Sequence, residues 1–130
     1  MRFSIFLAVL LCLFVNPAWA TNSTNITLDV TPGHLEGTLL LPEGDGPWPA
    51  VLILAGSGSV DRDGNIVGIP GKNNSLLQLA EGLASHGVAT LRADKRGVAE
   101  SISAALSENE MRFNYLIDDA VLWTNLLQDD

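Results

Sequence analysis

Residues 5–15 form an unbroken apolar run unlike any later hydrophobic stretch in the chain. Arg2 precedes it, Pro17 breaks it, and Ala18, Trp19 and Ala20 follow with the small-large-small spacing of an export-signal cleavage site. A helix that crosses a bilayer needs roughly 20 apolar residues, so this run is too short to serve as a span. The pattern predicts a signal peptide over 1–20, cleaved after Ala20, with no stable membrane anchor left behind and a secreted or periplasmic destination. Cys12 does not fit a lipid-anchor site, because bulky Leu11 stands before it.

Beyond Thr21 the pattern changes to short alternations and helical stripes. Residues 21–25 are polar and read as a loose lead-in, and residues 26–30 alternate apolar and polar as a half-buried strand does. Thr31, Pro32, Gly33 and His34 have turn composition, and residues 35–41 read as a second strand, giving a hairpin. A Pro- and Gly-rich loop covers 42–49. The wholly apolar segment 50–55 then suits a central strand covered on both faces. A Gly-rich loop over 56–72 leads to Asn74 or Ser75, either of which can cap a helix through its side-chain oxygen.

Leu76, Leu77, Ala80, Leu83 and Ala84 recur at helical spacing, with Gln78, Glu81 and Ser85 on the opposite face and Gly87 as the stop. Residues 88–93 form another strand. Ser107 and Glu110 have the spacing of a capping box. Phe113, Leu116, Ile117, Ala120, Trp123 and Leu127 line one side of a second helix. The predicted fold is α/β, a hairpin followed by β-α-β-α in one domain over 21–130, with a parallel pair and an incomplete sheet. The strand at 50–55 is left with an apolar edge that natural sheets do not leave open. The chain is therefore expected to be part of a longer protein.

Composition narrows the partners. The chain has 130 residues, 47% of them hydrophobic, and a formal net charge of −8. An acidic chain has no basic face for phosphates, which argues against a nucleic-acid partner. Removal of the signal takes away Arg2 and Cys12, the only cysteine, so stability must come from packing rather than a disulfide.

Ligands of parallel sheets bind beyond the carboxyl ends of the strands. Two loops leave those ends here, 55–65 and 94–101. The first sets Gly56, Ser57 and Gly58 directly after a buried strand, where backbone N–H groups can face developing negative charge; one such donor stabilises an acyl-transfer transition state by roughly 3–4 kcal/mol. The same glycines could instead serve only to round a tight turn. Gly56 and Gly58 also suggest a dinucleotide loop, but Asp61 occupies the third glycine position and would repel a pyrophosphate. Asp61, Asp63 and Asn65 faintly resemble a calcium loop, yet Ile66 and Lys72 stand where Gly and Glu are required. No metal and no cofactor are expected. Asp61, Arg62 and Asp63 read as a cluster that fixes the loop. Asp94, Arg96 and Glu100 read as a salt-bridge and turn network rather than as a general acid or base. His34, in a turn, and His86, at a helix end, fall on neither strand exit.

Five segments agree in order with one family: 37–42, 49–58, 61–64, 79–84 and 92–101. Together they resemble the N-terminal third of α/β-hydrolases of the serine aminopeptidase-like and dienelactone-hydrolase-like groups. The resemblance implies an eight-stranded sheet and a Ser–His–acid triad. Ala55, Gly56 and Ser57 fall where the family has His-Gly-x, which assigns the backbone N–H of Ser57 to an oxyanion hole, with Gly58 as the neighbouring candidate. The structural signature Asp-x-Arg-Gly-x-Gly-x-Ser maps onto Asp94, Arg96, Gly97 and Ser101; Ala99 replaces its second glycine, which implies a looser turn. No Gly-x-Ser-x-Gly elbow occurs in the chain, so nucleophile, acid and histidine are all expected beyond Asp130. The resemblance implies an exported carboxyl-ester hydrolase acting on a small-molecule ester or amide through an acyl-enzyme. A peptidase or amidase of the same fold, or a binding protein that has lost the triad, are the alternatives. The 130-residue chain alone is expected to be inactive.

Overall fold

The computed structural model describes residues 22–129, so the expected signal peptide and Cys12 lie outside the described residues. In chain order the elements are β1 (Asn22–Asp29), β2 (His34–Leu41), β3 (Ala50–Leu54), α1 (Ser75–Ala84), β4 (Ala89–Ala93), a 3-10 helix (Ala99–Ala104) and α2 (Phe113–Asp129). The strands form one mixed sheet in the order β1-β2-β4-β3; β1 and β2 pair antiparallel, as do β2 and β4, while β3 lies parallel to β4.

β4 is the centre of the sheet, and all five of its residues are buried. Side chains alternate across a strand, so Leu91 and Ala93 face one way and Thr90 and Arg92 the other. On the first face Leu91 and Ala93 pack with Leu35, Ala104 and Trp123, the last brought by α2. Trp123 can approach the sheet closely because position 37 has no side chain: a Cβ there would stand 3.0 Å from its ring. On the second face Leu40 and Ile53 pack with Ala80 and Ala84 of α1. Each fully buried leucine of this kind contributes roughly 1.5–3 kcal/mol relative to an exposed one.

Several features differ from the sequence expectation, each for an identifiable reason. The lead-in at 22–25 is not loose, because β1 pairs with β2 along its whole length, from Asn22 opposite Leu41 to Asp29 opposite His34. Its polar side chains suit a strand with only one neighbour, and they pair across it: Thr27 Oγ1 donates to Glu36 Oε1 at 2.8 Å, and Thr38 Oγ1 to Asn25 Oδ1 at 3.0 Å.

β3 is not covered on both faces. It stands at the sheet edge, with Val51 and Leu54 40% and 49% exposed. Phe113 and Ile117 of α2, placed by their spacing on the buried stripe, are 74% and 47% exposed and flank the same edge. Between β3 and α2 lies a groove of about 440 Å³ whose lining includes Leu54, Ala55, Phe113 and Ile117.

Neither Asn74 nor Ser75 caps α1 with its side chain. Asn74 takes a left-handed conformation, and the N–H groups of Leu76 and Leu77 instead donate to the Asp63 carbonyl. The helix ends as its sequence predicts, with Gly87 at φ 78 and the Val88 N–H reaching back to Leu83 O at 3.1 Å. Ser107 and Glu110 do bond, the Ser107 hydroxyl and N–H donating to Glu110 Oε2 at 2.6 and 3.2 Å, which holds the Glu110 carboxyl below its ordinary range. This contact closes a turn ahead of α2, whose first residue is Phe113, and so does not cap the helix.

The turn after β4 also departs from expectation. Ala99 adopts φ 47, close to the region that Gly97 takes at φ 77, so the alanine holds the left-handed conformation the turn needs. The turn closes fully, with Val98 N–H to Lys95 O at 2.9 Å and Gly97 N–H to Ser101 O at 3.0 Å. The alanine Cβ carries a cost there that glycine would not. Ala99→Gly should therefore stabilise the protein by about 1 kcal/mol, the relief being larger than the entropy glycine adds to the unfolded chain. A lower denaturation midpoint for A99G would contradict the left-handed assignment.

Candidate active site

β3 and β4 run parallel, so their carboxyl ends open on the same side of the sheet. The loop after β3 begins with Gly56, Ser57 and Gly58, all exposed. Among the described residues the N–H groups of Ser57 and Gly58 donate to no protein acceptor. They sit beyond the carboxyl end of the strand, where the family resemblance leads oxyanion donors to be expected.

The next stretch is a compact knot. Asp61 Oδ1 accepts the N–H groups of Asp63 and Asn65 at 2.9 and 2.8 Å. Asn65, 5% exposed, accepts the N–H groups of Asn73 and Asn74 at 3.0 Å each on its Oδ1, and its amide nitrogen donates to Asn74 Oδ1 at 2.9 Å. The Asp63 carbonyl meets the start of α1 while its carboxylate pairs with Arg92. Val60 and Ile66 form an isolated bridge across the base. Residues read from sequence as a weak calcium loop are thus engaged in fixing the loop to α1 and to β4.

Asp94 joins the two strand exits. It is 2% exposed at the end of β4. One of its oxygens accepts the Arg62 N–H at 2.6 Å; the other lies 3.5 Å from the Arg62 guanidinium and 3.4 Å from the Glu100 N–H. Arg62 also pairs with Glu100. Burial raises the Asp94 carboxyl above its ordinary value, an effect that the Arg62 N–H and positive charge only partly offset. The Asp94 carbonyl accepts the Ser101 hydroxyl at 3.2 Å, and the Ser101 oxygen in turn accepts the Glu36 N–H of β2 at 2.8 Å.

Arg96 faces away from this cluster. Its Nε and Nη2 donate to the two oxygens of Asp119 on α2 at 3.0 and 2.6 Å, and its guanidinium stands 5.3 Å from the centre of the Tyr115 ring. Both partners are buried, so the pair ties the turn to α2 rather than to a ligand. His34 and His86 lie off the strand exits; their Nδ1 atoms contact Ser103 Oγ at 3.1 Å and Gly82 O at 2.8 Å.

Asn65, read from sequence only as part of a faint calcium-loop pattern, is the centre of the loop knot, and two further residues with defined roles carry no assignment in the sequence. Asp119 falls in step with Leu116 and Trp123 on the helix face that packs inward, and a carboxylate there requires a partner, a signal legible in the spacing. Lys95 extends from the end of β4 across to the β3 exit, where its ammonium donates to the carbonyl oxygens of Gly56 and Gly58, the latter at 2.6 Å. Burial lowers the Lys95 ammonium below the ordinary lysine range. Among the described residues no cluster of His, Cys, Asp and Glu is arranged to hold a metal.

No family model matches the chain. Among curated proteins it is similar to Esterase EstD of Thermotoga maritima, with 34% identity over 101 residues that make up 78% of this chain and 23% of that one. The chain thus spans about a quarter of the length of this relative. Among solved structures it overlays on XC6422 of Xanthomonas campestris, an α/β serine hydrolase without a lid, with a TM-score of 0.54 and 24% identity, covering 86% of this chain and 48% of that one. It also overlays on 2,6-dihydroxy-pseudo-oxynicotine hydrolase, with a TM-score of 0.50 and 19% identity, covering 76% and 24%. The four-stranded mixed sheet with its helices is part of the fold these two structures share.

Because Asp94 is buried between both exits, its removal leaves Arg62 and two backbone N–H groups short of an acceptor. Breaking a buried pair from one side costs several kcal/mol, and Arg62 keeps Glu100, so Asp94→Ala should destabilise the protein by about 3 kcal/mol. Urea denaturation measures this. A loss below roughly 0.5 kcal/mol, the range of an ordinary surface substitution, would mean that the exits are joined by other contacts.

Proposed function

We propose that this chain, which belongs to the α/β-hydrolase superfamily, supplies the oxyanion-binding edge of an exported serine hydrolase that cleaves carboxyl esters of small molecules through an acyl-enzyme. The observation that carries the proposal is the pair of exposed, unengaged N–H groups of Ser57 and Gly58 at the carboxyl end of β3. Similarity to an esterase supports hydrolase chemistry of this kind.

In this reading a serine from chain beyond Asp130 attacks the substrate carbonyl carbon. The π electrons move onto the carbonyl oxygen, which becomes an alkoxide, and the serine proton passes to a histidine that also lies downstream. The Ser57 N–H donates to the alkoxide. A second donor comes from the residue after the nucleophile. Collapse of the intermediate expels the alcohol, which takes the proton from the histidine, and water then releases the acid in a second cycle of the same steps. Preformed donors of this kind need no reorganisation as charge develops, and removal of one slows acyl transfer by about 10²–10³-fold.

The apolar groove beside β3 is where further chain of the same fold would pack. Export would follow from the signal peptide over 1–20 with cleavage after Ala20. Peptide or amide hydrolysis would draw on the same donors, and esters are preferred here on the similarity to EstD.

Full-length protein should release p-nitrophenol from p-nitrophenyl butyrate, whereas residues 21–130 alone should release none above the uncatalysed rate. A full-length protein that keeps an intact nucleophile elbow and yet leaves this ester untouched would contradict the proposal.

A further inference from the structure

We propose that Lys95 is the positioning residue of the oxyanion loop: by holding the Gly56 and Gly58 carbonyls, its ammonium sets the direction in which the Ser57 N–H points. The inference rests on the hydrolase reading above and adds to it a residue whose side chain takes no part in bonding the substrate.

A trans peptide unit is planar, with its C=O and N–H directed oppositely. The Gly56–Ser57 bond is not among the cis peptides of the chain. The carbonyl of that unit belongs to Gly56 and its N–H to Ser57, so a donor bound to Gly56 O turns the Ser57 N–H to the far side of the peptide. Lys95 Nζ is that donor. The same ammonium also binds Gly58 O at 2.6 Å, bracketing the Ser57 residue from both neighbours.

Nothing else performs this task among the described residues. Gly56, Ser57 and Gly58 make no other hydrogen bond, and the loop is next tied down at Ser59, whose carbonyl accepts the Val67 N–H at 2.8 Å. Gly58 stands at φ 81 with open space around it, so local sterics do not fix the segment. A Gly-Ser-Gly run held at neither carbonyl would have freedom to turn its amides. Lys95 is well placed to prevent this, because Asp94 immediately before it is locked at the end of β4 and the turn after it closes on its own carbonyl. An ammonium offers three donors and no acceptor, which matches two carbonyls and leaves no competing partner within the site.

The test compares wild type, Lys95→Met and Lys95→Arg in the full-length protein, using p-nitrophenyl butyrate as substrate and butylboronic acid as a probe that forms a tetrahedral adduct. Misplacement of a reacting group by about 1 Å can cost about a hundredfold, so K95M should lower kcat by about that factor while KM stays within about twofold. Boronate affinity should fall in step with kcat, and K95R, which retains donors, should recover part of both. Active wild type with K95M matching it in kcat and boronate affinity would overturn the inference and leave the hydrolase reading in place. Wild type inert towards the ester would overturn both. If K95M melts at a lower temperature than wild type, K95R decides: at unchanged melting temperature, kcat and boronate affinity above those of K95M support the clamp, and values no higher than those of K95M overturn it.

Discussion

A single buried carboxylate joins the two loops from which the candidate chemistry is built. Asp94 ends the central strand, accepts the Arg62 N–H from the loop after β3, and faces Glu100 N–H from the turn that follows β4. Burial of a charge in this position is unfavourable by itself, as the upward displacement of its carboxyl shows. It is retained where Arg62 and two backbone donors surround it. The consequence is geometric: with both strand exits held to one residue, the loops cannot drift relative to each other, and a side chain rooted in one can fix the backbone of the other. Lys95 does this across the gap to Gly56 and Gly58.

The rest of the fold serves that arrangement. The sheet order places β4 between β2 and β3, so the residue after it is enclosed on both sides. Trp123 and Leu91 secure one face and Ala80 with Ile53 the other. The Arg96–Asp119 pair anchors the β4 turn to α2, and Ser101 ties it to β2 through Glu36. Charges at the exits therefore set positions, Arg62 and Arg96 through carboxylates and Lys95 through backbone carbonyls. Among the groups left unengaged at the β3 exit are the Ser57 and Gly58 backbone amides, which can donate to an oxyanion.

Periodicity made the architecture legible. The apolar run at 50–55, the stripe through Ala80 and Ala84, and Gly87 as the stop each reflect local physics that tertiary contacts did not override. Expectations failed where the deciding partner lay far away in sequence. Residues 22–25 carry no hydrophobic signal, yet they pair because β2 offers its edge. The Leu76 and Leu77 amides are met by the Asp63 carbonyl, more than ten positions before them, and not by the side chain of Asn74 or Ser75. The alanine in place of the family's second glycine implies a looser turn, yet Ala99 accepts a left-handed φ and the surrounding hydrogen bonds close the turn. For the candidate site, Ser57 and Gly58 could be named from their place after an apolar strand together with the family resemblance. Lys95 could not, since a lysine in a loop resembles any solvated lysine until the facing carbonyls are known.

In the proposed mechanism the Ser57 amide is aimed outward to meet a developing alkoxide. A crystal structure of the full-length protein with a boronate adduct on its nucleophile tests it directly. An adduct oxygen is expected about 2.7–3.1 Å from the Ser57 nitrogen, with Lys95 still bound to the Gly56 and Gly58 carbonyls. An adduct whose oxygens are held elsewhere, with the Ser57 N–H turned into the body of the protein, would contradict it.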